Sequence, residues 1–310
     1  MSAASGPATL APDAAAFDVR ASGKDASPLK TAGSAAALGT ALLLLPALVF
    51  LGVTFLAPLS RLVALSLSAS EGAFAAYREI LGDDIYRRVF ANTFAFAVVV
   101  TLVTVAIGYP LAVALTRLSP GWRAALFACV LLPLWISVLV RTFAWMLLLE
   151  RNGPVNRLLV GSGLVDQPLA LLFNHAGVLI GMVHVLLPYA VLPIYAALAR
   201  IDPALLRASE GLGASRLTTF RRVLLPLSLR GVATAATFVF LLSLGFFITP
   251  ALLGGSASMT LSMLIENLVN ERLAWALAAA ASVVLLGAAL VVLAVASRFV
   301  PIRALAEPGR

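Results

Sequence analysis

The residues able to act as nucleophiles, bases or metal ligands are few in this chain and widely spaced. His175, His184 and Cys129 are its only imidazole and thiol groups, whereas a metal centre needs three or four converging ligands. No metal or cofactor site is therefore expected, and Cys129, set in an apolar run, reads as a small buried apolar residue. The only lysines are Lys24 and Lys30. Neither lies in a G-x-x-x-x-G-K-[ST] loop, whose amides and lysine cradle nucleotide phosphates, so any ATP-derived energy has to come from another subunit. Ser256 and Ser258 follow Gly255, and with His184 in another segment they invite comparison with an intramembrane serine protease. That chemistry requires serine and base within hydrogen-bond reach and an oxyanion hole. A glycine and serine turn closing a helix explains the segment more simply.

The elements that would position these residues are apolar. Of 310 residues, 61% are hydrophobic and 12% charged, against about 25% charged in a soluble domain. The net charge of +8 punctuates apolar runs and forms no polar face, so no nucleic-acid partner is expected. Residues 1–36 are rich in Ala, Ser, Gly and Pro without a sustained period and read as a disordered tail. Six stretches follow with few or no charges: Ala35 to Ser60, Ala91 to Thr116, Ala124 to Leu149, Ala176 to Ala199, Gly231 to Ile265 and Leu273 to Ser297. Each exceeds the roughly 20 residues a helix needs to cross about 30 Å of hydrocarbon. Unbroken apolar runs satisfy their backbone as helices, not as the alternating strands of a barrel. The expected fold is all-α, a polytopic membrane protein of six transmembrane helices. The first stretch is far longer than a signal-peptide core of about 7–15 residues. The fifth is too long for one span, and Thr249-Pro250 with Gly254-Gly255 predicts that its helix ends near Thr249.

Lysine and arginine counts set the orientation. With a cytoplasmic N-terminus, fourteen of these residues fall on inside segments and seven on outside segments, leaving Arg141 within a span. Both termini are thus expected in the cytoplasm. The expected organisation is a tail to residue 36, a first helix over 37–60, a periplasmic segment over 61–90, a core over 91–297 and a cytoplasmic tail from 298. Within that core, residues 200–230 form the largest cytoplasmic loop, where a soluble cytoplasmic partner would act.

That loop is punctuated for a particular shape. Asp202 followed by Pro203 supplies an N-cap acceptor and a proline at the first helical position. A helix is predicted through Leu205, Leu206, Arg207, Ala208, Ser209 and Glu210, stopping near Gly211 or Gly213. Ser215 can cap a second short helix over Arg216 to Leu224, ended by Pro226. Apolar Leu205, Leu206, Ala208, Leu212, Phe220 and Val223 are interleaved with arginines, as expected of a knob that docks in a partner's groove.

This module resembles the cytoplasmic signature of the integral membrane subunits of bacterial binding-protein-dependent ABC importers, which runs Glu-Ala-Ala, three residues, Gly, nine residues, Ile, one residue, Leu-Pro. Arg207-Ala208-Ser209 stands at Glu-Ala-Ala, Gly213 at the glycine, Val223 at the isoleucine and Leu225-Pro226 at Leu-Pro, with both spacings kept. Arg207 replaces the glutamate and Ser209 the second alanine. The similarity extends from about Arg88 to Arg298, and the Arg141-Thr142-Phe143-Ala144-Trp145 and Ile248-to-Gly255 segments resemble the spermidine and putrescine permease branch. The resemblance implies a five-helix core with an added N-terminal helix, a second permease, more in keeping with a paralogue than another copy, a periplasmic binding protein, and an ATPase that seats the Asp202–Pro226 loop. It also implies the bacterial inner membrane and a polyamine as solute.

Candidates for the pathway or its gating are Arg141, Phe143, Trp145, His184, Thr249 and Pro250. An ion within the membrane marks a pathway or a buried pair, and a cationic solute would be repelled by an unpaired Arg141, which favours structural or gating work for it. His184 reads as a helix-to-helix hydrogen-bonding residue. The rival class is an ion-coupled secondary transporter, against which stand the scarcity of intramembrane acids and the capped cytoplasmic module.

Overall fold

A computed structural model describes residues 29–70, 72–255 and 258–299, and the described residues contain helices and no strand. The first 28 residues of the expected tail, and residues 300–310 of the C-terminal one, lie outside that range. Helix α1 (Leu29–Ser66) already begins inside the stretch read as tail. The chain forms two units that divide after Ala57. In the first, the α1 side chains from Leu43 to Leu56, including Phe50 and Phe55, are largely exposed apolar surface.

The second unit is built around three long helices, α3 (Asp84–Arg117), α7 (His175–Ala199) and α10 (Leu225–Leu244), which pack against one another. Val100, Ala112 and Leu115 of α3 meet Met182, Leu186, Ala190 and Ile194 of α7 and Ala235 and Val239 of α10 in one core. α3 starts seven residues before the apolar run because Asp83 caps it, accepting from the Ile85 amide at 2.7 Å. A second cluster joins α2 (Ala75–Gly82) and the start of α3 to α12 (Leu261–Asn270) and α13 (Trp275–Phe299) through Ile80, Val89, Leu264 and Ala281. Leu43–Ser66, α3, α7, Arg216–Leu244 and Trp275–Arg298 are each long and apolar enough to cross a membrane.

The remaining candidate crossing is a bent pair of helices. The run expected as one span over 124–149 forms α4 (Pro120–Trp135) and α5 (Val138–Leu149), with the axis bending by 105° between them. Ile136 and Ser137 are extended at the bend. Pro133 lacks an amide hydrogen and weakens the end of α4. Its carbonyl receives a long bond from the Ile136 amide at 3.4 Å and a short one from Arg141 at 2.6 Å. Beyond α5, the short helix α6 (Pro154–Gly161) is held by buried Asn156, which donates to the carbonyls of Glu150 and Leu169 and accepts from the Leu169 amide.

The fifth stretch also departs from expectation. α10 ends at Leu244, and Thr249-Pro250 begin a new short helix, α11 (Ile248–Leu253). Proline is tolerated there because first-turn amides have no intrahelical acceptor. Of the residues that follow, Ser258 and Thr260 are buried and Gly254, Gly255 and Met259 are half-buried. Asn92 donates to the Met259 carbonyl at 2.9 Å, and the Leu261 amide donates to Thr93 Oγ1 at 2.8 Å. Cys129 is exposed on α4, contrary to the buried role expected for it.

Candidate functional site: a capped loop and a junction between membrane-length segments

The knob is assembled by side-chain caps and one glycine. Asp202 accepts from the Ala204 amide at 2.8 Å and starts α8 (Pro203–Gly211). Gly213 then takes φ +81°, a left-handed turn that disfavours a side chain. Ser215 accepts from the Thr218 amide at 3.3 Å and starts α9 (Arg216–Thr219). The two arms are tied by a 2.9 Å bond between the Ser209 and Thr219 hydroxyls.

Pro226 does not end the second arm. The chain passes through a π-helical turn (Phe220–Leu224), in which the Leu225 amide reaches back to the Phe220 carbonyl, and continues directly into α10. The wider turn changes the hydrogen-bond register just where proline offers no donor and would clash with the preceding turn. Leu225–Leu244 supplies 20 residues, about the 30 Å of hydrocarbon at 1.5 Å per residue, so α9 and the π-turn project beyond that length.

The candidate docking residues separate into two groups. Leu212 is 89% exposed and Leu205 49%. Arg207, Ala208, Glu210, Leu225 and Pro226 do not join the buried core, and Val223 is half-buried. Leu206 and Phe220, expected at the docking surface, instead pack against the core. Phe220 meets the Tyr109 ring edge-on at 5.9 Å, and the Tyr109 hydroxyl is 2.9 Å from that of Ser228. Inward packing follows from spacing: Leu206 and Ser209 lie three residues apart on the same helical face. Sequence reasoning missed Leu217, which is 58% exposed on the second arm of the knob, and Tyr109, whose partner is more than a hundred residues away.

Within the membrane-length segments, three residues of α5 each reach a different element. Arg141, 8% exposed, donates to Pro133 of α4. Thr142 lies 3.3 Å from the Thr249 hydroxyl of α11. Trp145 Nε1 donates to His184 Nδ1 of α7 at 3.1 Å, with the rings edge-on at 5.4 Å. Four of the pathway candidates therefore meet at this junction. Thr249 and Pro250 are buried among protein groups and do not form a solvent-facing lining, while Phe143 is exposed, away from the junction. Ser258 is buried, and Ser256 lies outside the described residues.

Long apolar helices, a broken crossing and a structured polar loop between membrane-length helices define a multi-pass membrane transport subunit. The family described as the inner membrane component of binding-protein-dependent transport systems matches residues 72–301, and the chain belongs to that family. The spermidine/putrescine transport system permease protein PotB of Escherichia coli K12 is 32% identical over 204 residues, covering 66% of this chain and 74% of its own. The inner membrane ABC transporter permease protein YdcU of the same strain is also 32% identical, covering 70% and 76% of the two chains. Among solved structures, a bacterial ABC transporter involved in importing the acidic polysaccharide alginate superposes with a TM-score of 0.73 at 21% identity, covering 88% of this chain and 98% of that one. The MetNI methionine ABC transporter gives a TM-score of 0.53 at 21% identity, covering 69% and 93%. These two likenesses establish the fold. The chain is a permease subunit of an ABC importer in the inner membrane, and its relatives are permeases, not enzymes.

Proposed function

We propose that this permease couples solute passage to an ATP-binding cassette ATPase through the Asp202–Pro226 knob. The observation that carries the reading is the exposed Leu205 and Leu212 surface set on a turn fixed by Gly213 at φ +81°. A solvent-facing apolar knob on a capped frame suits a groove in a soluble partner. A second permease, taken as a paralogue, completes the pathway, and a periplasmic binding protein delivers the solute. Both termini and the knob are assigned to the cytoplasm from the arginine distribution. The solute class favoured by the PotB relatives is a polyamine such as spermidine or putrescine. Arg141, Trp145, His184 and Thr249 are assigned to holding or gating the pathway rather than to chemistry.

The test is purification in mild detergent from native membranes, with Gly213→Val alongside. A Cβ added at Gly213 meets nothing within 4 Å, so the substitution acts through backbone conformation alone. Recovery of an ATPase and a second permease, weakened by Gly213→Val, supports the proposal. A homo-oligomer without ATPase would move the reading to an ion-coupled secondary transporter.

A further inference from the structure

The charge of the membrane-length segments is mostly positive. Among the described spans the carboxylates are Asp84, the first residue of α3, with which Arg87 pairs at 2.5 Å, and Glu150, which follows the last residue of α5. Arg141 is 8% exposed and stands just past the bend that follows α4. It lines a cleft of about 410 Å³ with Val138, Tyr189, Phe246 and Phe247. Apart from the Tyr189 hydroxyl the other walls are apolar, and no carboxylate lines the cleft.

The guanidinium has five N–H donors. Nη1 spends one on the Pro133 carbonyl, whereas Nε is buried without a hydrogen-bond partner. A neutral carbonyl satisfies one donor and leaves the charge uncompensated, and an unpaired buried charge is strongly unfavourable. The group that fits is planar, anionic and able to accept two parallel bonds, which is the geometry of a carboxylate.

We propose that the Arg141 cleft is a carboxylate-binding site of the assembled importer. The carboxylate belongs either to a solute or to a span of the second permease, and the inference rests on the permease reading above. Under a polyamine solute the second permease supplies it, because the cleft repels an ammonium group.

The test uses the reconstituted transporter with putrescine and 4-aminobutanoate, solutes with the same four-carbon chain that differ in carrying an ammonium or a carboxylate at one end. Arg141→Gln keeps an N–H donor for Pro133 and removes the charge, while Arg141→Lys keeps the charge. If the solute supplies the carboxylate, Arg141→Gln lowers uptake of 4-aminobutanoate relative to putrescine by at least about tenfold, and Arg141→Lys retains the preference. If the second permease supplies it, Arg141→Gln loses that chain on purification, Arg141→Lys retains it, and the solute ratio does not move. Equal behaviour of the Gln and Lys variants in both readouts, whether intact or impaired, overturns the proposal while leaving the importer reading in place. A wild-type chain that recruits no ATPase overturns both.

Discussion

Arg141 and Pro133 lie on opposite sides of the bend between α4 and α5, joined by a 2.6 Å bond from guanidinium to carbonyl. The bond ties the direction of α5 to the end of α4 without continuous helix between them. Hydrogen bonds involving a charged group contribute about 1.5–3 kcal/mol. Arg141→Ala is therefore expected to lower the unfolding free energy in detergent by an amount in that range, and the unfolding midpoint with it, more than Arg141→Gln does. Equal midpoints for the Ala variant and the wild type would show that the bend holds without the bond.

Trp145 and His184 should act as a pair. Trp145→Phe removes the indole N–H while keeping an aromatic ring against the imidazole, at a cost of about 1 kcal/mol. His184→Leu removes the acceptor. Because each substitution abolishes the same bond, the double variant should be less destabilised than the sum of the two, by about 0.5 kcal/mol or more. Strict additivity in denaturation curves would rule out the bond as an energetic link between α5 and α7.

The sequence makes the punctuation of the knob plain, since Asp202 and Ser215 accept from amides two or three residues away and Gly213 needs only its own left-handed turn. The six apolar runs are equally legible because membrane thickness sets their length. What escapes a linear reading is long-range: which face of α8 turns inward, the bond from Trp145 to His184, and the bend at Ile136. Thr249-Pro250 looks like the end of a helix and is the start of one. Proline at a boundary is compatible with either side, and only the packing of α11 under α5 and α7 decides it.

The exposed and packed leucines of the knob give a sharp contrast. Leu212→Asp is expected to leave the unfolding free energy within about 0.5 kcal/mol of wild type, as for surface changes generally. It should nevertheless reduce co-purification of the ATPase. Leu206→Asp places a carboxylate against the core and should be poorly recovered from membranes. Comparable ATPase capture by Leu212→Asp and wild type would remove Leu212 from the docking surface.

Ser209 and Thr219 tie the arms of the knob together. Ser209→Ala and Thr219→Val should each lower the ATP hydrolysis that is linked to transport, with a non-additive double variant, since either change removes the same bond. Independent effects would place the two hydroxyls in separate roles.

Gly181 provides a packing test within the membrane. A Cβ there would come within 2.7 Å of Thr249 Cγ2 and 2.6 Å of Leu253 Cδ1. Gly181→Val should therefore cost about 1–3 kcal/mol through overpacking, measured as loss of folded protein on heating in detergent. Companion substitutions Thr249→Ser and Leu253→Ala should recover part of it.

Between Arg216 and Leu244 no residue leaves helical geometry, although the helix type changes at Phe220. The knob is therefore the exposed end of a stiff rod whose other end lies among the buried helices. A push on it cannot be absorbed by a slack linker. Because Phe220 and Ser228 both meet Tyr109 in the C-terminal part of α3, that contact is the fulcrum about which the rod would tilt if Arg216 were displaced.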